Sequence, residues 1–221
     1  MRMATRHSQA GPAESSSRER LLQAALTVLV EQGVAGLTVR GLAGAAGSST
    51  IGVYTRFGGR TGVLDALYER TFELLHEELA ALPPVSGDPL PDVLAFARTY
   101  REFALESPAR YAFMFERAVP GYDPDPDLRM LAQRNTYDLL AERVRPAAGP
   151  GLDEDSAGYL VWTAMHGLVS LELTHRARTP PPGWFLSPED DSYARIFQDG
   201  ITTVLAGVAT RQKPDNGLFG R

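Results

Sequence analysis

The chain has 221 residues, 43% apolar and 22% charged, enough for one compact domain and a smaller satellite. It has no cysteine, no apolar run near the roughly 20 residues of a membrane helix and no apolar N-terminal core of a signal peptide. Disulfides, thiolate metal sites and a membrane span are thereby excluded, and a cytoplasmic protein is expected. The net charge of −5 divides unevenly: residues 1–60 carry seven Arg against Glu14, Glu19 and Glu31, a balance of +4, and the rest balances at −9. This is the asymmetry of a basic nucleic-acid-binding head on an acidic body.

Residues 1–15 are polar and carry Gly11-Pro12, the composition of a disordered tail. Arg2 and Arg6 stand where a minor-groove arm would, although a solvated tail is the simpler account. A first helix is expected from Ser16, with Ser16-x-x-Glu19 as its capping box. Leu22, Ala25, Leu26, Leu29 and Val30 form its apolar stripe, and Gly33 ends it. From Leu37 to Leu64 the sequence reads as two short helices around a tight turn, and then the start of a longer one. Thr38 is placed to cap the first and Ser48 or Ser49 the second. Gly47 stands where a helix end needs positive φ. Val53 and Phe57 share an inner face, four residues apart. This is the logic of a helix-turn-helix, whose second helix enters a DNA major groove.

Leu37, Thr38, Arg40, Leu42, Ala43, Ala46, Gly47, Ser49, Tyr54, Phe57 and Leu64 match the pattern of the TetR (tetracycline-repressor-like) family, which the stretch closely resembles. Val53 and Arg60 are conservative replacements within that pattern. The departures are Ser48 for Val, Ile51 for Gly, Arg56 for His and Gly59 for the Ser that caps the following helix. The resemblance implies a homodimer on a palindromic operator, with repression as the usual mode.

Beyond the head, helices are expected over about 60–82, 91–107, 108–119, 126–144, 153–177 and from 187 or 188 to about 209. Prolines and the loop from Pro120 to Pro126 separate several of them. The inner positions of 126–144 are read as Leu128, Leu131, Tyr137, Leu140 and Val144. No strand pattern or internal repeat appears, so the fold class is all-α. About nine helices are expected, as a three-helix helix-turn-helix domain followed by a helical effector-binding and dimerisation domain. The boundaries are drawn as tail 1–15, helix-turn-helix 16–62, effector and dimerisation domain 63–212 and loose tail 213–221. The stretch from Tyr159 to Leu171 has no charge, and a helix apolar all round is buried all round. A second subunit would supply part of that cover, making a four-helix bundle from the last two helices of each chain. The Trp162, His166 and Gly167 spacing also resembles a C-terminal effector-domain class of TetR-like regulators.

By the resemblance, Tyr54 donates its hydroxyl to a phosphate and Arg60 grips another at a helix start; Thr38 is a third phosphate candidate. Arg40, Ser49, Thr50, Thr55 and Arg56 are assigned to the DNA face. Arg56 suits guanine O6 and N7, and an exposed Ile51 suits a thymine methyl. For an effector, Phe96, Tyr100, Phe103, Met114, Tyr137, Trp162, Met165 and His166 are the candidates, with ordinary core packing as the alternative. The four histidines show no metal-pair spacing, and no cofactor or catalytic set is expected. Gly41, Gly44 and Gly47 imitate a phosphate loop, but their spacing is GxxGxxG without a βαβ context, so a nucleotide-binding enzyme is a weak rival. An all-α ligand-binding or interaction module without DNA binding is the other alternative.

Overall fold

The computed structural model describes residues 12–179, 183, 186 and 191–211, with side chains of the first helix described from Ser17 onward. The two expected tails fall largely outside these residues. Among them lie nine α-helices: α1 (Pro12–Gln32), α2 (Val39–Ala45), α3 (Thr50–Phe57), α4 (Arg60–Ala80), α5 (Pro89–Glu106), α6 (Pro108–Phe115), α7 (Pro126–Val144), α8 (Glu154–Arg176) and α9 (Ser192–Thr210). The described residues contain no strand. Chain packing defines two units. One contains the residues up to Thr71 together with Ala109–Leu128; the other contains Phe72–Pro108 together with the residues from Arg129 on. The division falls inside α4.

In the first unit, α1 buries Leu21, Leu22, Ala25, Leu26, Val28 and Leu29. The expected stripe is corrected at one end, because Val30 is exposed and Val28 takes the inner position. The helix also begins before Ser16, so Ser16 lies inside it rather than at its cap. Its side chain is outside the described residues. Leu37, Leu42, Ala43, Val53, Val63, Leu64 and Leu67 are buried in the same unit. Segment 109–128, read from sequence as part of the effector body, packs in this unit. Phe113 meets Tyr68 of α4 edge-on at 6.2 Å and stacks on Tyr122 at 6.0 Å. The Tyr122 hydroxyl donates to Asp65 Oδ1 at 3.0 Å. Burial, and then the Asp65 charge, push the Tyr122 phenol well above its usual range.

In the second unit, α5, α8 and α9 pack together. Val161, Met165, Val169, Phe197, Ile201 and Leu205 are buried. Glu172, the first charge of the apolar stretch, is also buried. It receives Arg101 Nε at 2.7 Å and Nη2 at 2.6 Å, and Arg176 Nε at 2.9 Å. A carboxylate removed from water needs such partners, and removing one costs more than the pair contributes. Leu131, expected inside α7, is exposed; Ala132 and Thr136 are buried in its place. The last helix starts at Ser192, four or five residues later than expected, after residues 187–190 that lie outside the described set.

Candidate DNA interface and effector groove

The helix-turn-helix is held by its backbone. Thr38 Oγ1 accepts from Gly41 N at 3.0 Å and Ser49 Oγ accepts from Gly52 N at 3.0 Å, so both caps form. Of the two serines considered, Ser49 is the one that caps. Gly47 has φ +57 at the turn. Gly58, at φ +71, closes α3 by donating its N–H to Tyr54 O at 2.8 Å. Gly59, where the family pattern has a capping Ser, has φ +120, and a Cβ there would press on the Tyr54 ring at 3.0 Å. The departure from the pattern thus gives Tyr54 room to lie across the α3–α4 turn.

With Val53 fully buried, α3 turns Thr50, Ile51, Tyr54 and Thr55 outward, while Gly52, Arg56 and Phe57 are half-buried. Ile51 is 75% exposed and Tyr54 58% exposed. Ser49, Thr50 and Thr55 are exposed, as are Thr38 and Arg40 of the α2 region. Two of the assigned cations are already engaged. Arg60 Nε donates to Leu37 O at 2.8 Å, linking the start of α4 to the residue before the Thr38 cap. Arg56 is half-buried and turned back, with Nη1 donating to Gly52 O at 3.0 Å and Nε buried without a hydrogen-bond partner. It must leave the Gly52 carbonyl to reach a base. Sequence reasoning missed Arg18, whose guanidinium lies 4.8 Å from the Phe57 ring centroid and covers the end of α3.

Of the eight effector candidates, Met114 is buried in the first unit and the other seven belong to the second. Phe96, Phe103 and Met165 are buried. Tyr100 is buried with its hydroxyl 2.8 Å from His166 Nδ1. Burial lowers the His166 pKa to about 4, so this imidazole is neutral at pH 7. Its ring is 5.3 Å from Trp162, and Trp162 is 5.3 Å from Tyr137.

Tyr137 and Trp162 open onto a groove of about 460 Å³ between α7 and α8. Met130, Gln133 and Arg134 also line it from α7, and Asp155, Ser156 and Tyr159 from α8. These six were missed. Met130, Arg134 and Tyr137 are spaced by four and three, as are Asp155, Tyr159 and Trp162. Each set therefore shares a helical face, and the signal lay in polar and aromatic residues read together rather than in apolar ones alone. The described residues contain no group of His and carboxylate side chains arranged for a metal.

Two family models match this chain. One, for bacterial regulatory proteins of the tetR family, covers residues 21–67; the other, a tetracyclin repressor-like C-terminal domain, covers residues 93–199. An HTH-type transcriptional regulator of Mycobacterium tuberculosis is 29% identical over 200 residues, 88% of this chain and 83% of its own length. One of Mycobacterium bovis is 29% identical over 176 residues, 66% of this chain and 75% of its own. A solved transcriptional regulator described as a TetR from Streptomyces coelicolor has the same fold, with TM-score 0.61 at 20% identity over 89% of this chain and 99% of that one. The chain belongs to the TetR family of helix-turn-helix transcriptional regulators. Its relatives are regulators rather than enzymes. No helix among the described residues is long and apolar enough to cross a membrane.

Proposed function

We propose that this protein is a cytoplasmic repressor that binds a palindromic operator as a homodimer and is released by a small apolar or aromatic effector. The observation that carries the reading is the outward set of α3, where Thr50, Ile51, Tyr54 and Thr55 are exposed while Val53 alone is buried. A helix with this division is anchored from one side and reads from the other. Thr38, Tyr54 and Arg60 serve the phosphates; Arg40, Ser49, Thr50, Ile51, Thr55 and Arg56 face the bases or the adjoining backbone.

One short helix cannot select a site in a genome, whereas two heads on a dimer can. Support for the dimer comes from α8 and α9. Leu160, Thr163, Gly167 and Leu171 recur at helical spacing on α8 and are exposed, as is Ile196 on α9. A side chain added at Gly167 meets nothing within 4 Å in the single chain. Such a face permits close helix approach by a second copy. An effector would act by binding unequally to the DNA-competent and released states, since equal binding shifts nothing. Selection of bound fragments from random DNA, with Tyr54→Ala as control, tests the reading. A palindromic motif lost in the control is the expected result. Recovery of no motif by the native protein would leave the all-α ligand-binding module without DNA binding.

A further inference from the structure

We propose that the α7–α8 groove binds an organic cation carrying a flat apolar ring, and that this is the chemical class of the effector. The inference rests on the reading that the body takes a small effector; it adds where and what. The first argument is the shape of the aromatic lining. Trp162 is tilted 35° to Tyr137 at 5.3 Å, and Tyr159 stands at 82° to Trp162 at 6.1 Å. Rings set at such angles offer π faces from two directions, the arrangement that attracts a ring-borne cation. The Tyr137 hydroxyl donates to Asp155 O at 2.6 Å, so its proton is not offered to an anionic ligand and its ring faces the groove.

The second argument is charge. Arg134, the cation at the groove, lies 2.7 Å from Asp138 and is neutralised by it. Glu154 is paired with Arg145 at 2.9 Å. Asp153 is occupied in capping α8, accepting from Ser156 N at 2.8 Å and Ser156 Oγ at 2.7 Å. That cap also engages an N–H that could otherwise receive an anionic ligand. Asp155 remains, exposed at the groove, with no ion-pair partner among the described residues. The negative field is felt at the groove floor: burial first, and then Asp155, raise the Tyr137 pKa, while Arg134 offsets part of the rise. A volume of about 460 Å³ fits a ligand of modest size.

Calorimetric titration of the full chain with three probes that share a naphthalene ring tests this. They are naphthylmethyl-trimethylammonium, naphthylmethanol and naphthylacetate. The ammonium should bind about tenfold more tightly than the acetate, with the alcohol between them. Asp155→Asn, which retains the backbone carbonyl that Tyr137 uses, should bring the ammonium to the level of the alcohol. Asp138→Asn releases Arg134, and should weaken the ammonium and strengthen the acetate. Equal or tighter binding of the acetate, an unchanged preference in both variants, or no binding of any probe would overturn the proposal. Retention of the selected DNA is measured in parallel. A protein that holds DNA but fails the titration loses this inference and keeps the regulator. Ammonium binding that leaves DNA retention unchanged overturns the effector assignment. Ammonium binding by a protein that retains no DNA supports the groove and removes the repressor reading.

Discussion

Helix α3 has 8 residues and helix α8 has 23, and they handle the same constraint in opposite ways. On the function proposed above, both must be fixed in place while offering a surface to a ligand. In α3 the fixing is done by backbone and caps: Ser49 at one end, Gly58 at the other and Val53 as the inner anchor. The Ser49 cap contributes about 1 kcal/mol. Thr50, Ile51, Tyr54 and Thr55 are thereby left exposed for the DNA contact proposed above. In α8 the side chains themselves do the fixing, through Val161, Met165, Val169 and the Glu172 ion pairs. Its candidate binding residues, Trp162 and His166, lie beside that core. The short helix separates structure from recognition by residue; the long one merges them.

The sharpest way to break this comparison is to attack the backbone packing of the head. A Cβ at Gly62 would overlap the Phe57 carbonyl oxygen, which cannot move without displacing the end of α3. Gly62→Ala should destabilise the head by about 3 kcal/mol. It should abolish DNA retention in a filter-binding assay while the apolar body keeps most of its helical circular dichroism. Retention at the native level would mean that the α3–α4 turn has more freedom than its caps imply.

The second test addresses the surface left open on α8. Gly167→Arg places a long charged side chain where the single chain has space, so it should leave the melting temperature of the isolated chain nearly unchanged. If Gly167 faces a second copy, sedimentation should show a monomer, and DNA affinity should fall by roughly a hundredfold through loss of the paired heads. A dimer that survives the substitution would move the interface elsewhere.

These contrasts also explain what could be read beforehand. The all-α class followed from helical spacing, and the caps at Thr38 and at Ser48 or Ser49 from residue chemistry at fixed distances. Local geometry of that kind is written in a few adjacent residues. Leu131 and Val30 were misplaced because a Leu or Val at helical spacing carries no mark of which side the core lies on. That segment 109–128, although within the matched C-terminal domain, packs with the first unit was not legible for a related reason. The packing of Phe113 and Tyr122 against α4 joins residues about 50 positions apart, with no local signature. Arg56 was assigned by its neighbourhood, whereas its fold-back onto Gly52 depends on which rotamer the helix surface favours.

The third prediction concerns the buried side of α8. His166 has a pKa near 4 in the folded chain against 6.5 for the unperturbed side chain. The unfolded state therefore binds more protons between these values, and stability falls as pH drops through that window. Urea unfolding at pH 7 and pH 5 should show the native protein losing about 2 kcal/mol more than His166→Asn. Equal losses would mean that the imidazole takes up a proton without disturbing the fold.

The smallest expected effect lies at a residue that structure alone does not require. Tyr54 is 58% exposed, and its ring crosses Gly59. Tyr54→Phe keeps that contact and removes one hydroxyl, so unfolding should change by less than about 0.5 kcal/mol. A hydrogen bond to a phosphate oxygen contributes roughly 1.5 kcal/mol, which corresponds to about tenfold weaker DNA binding. Because phosphates carry no base identity, the loss should be the same for preferred and scrambled sequences. Arg56→Ala supplies the contrast. Its loss should be concentrated at one base position if the guanidinium swings out from Gly52, and spread evenly if it stays there. Matched affinity measurements on both variants separate a side chain that positions the helix from one that reads the sequence.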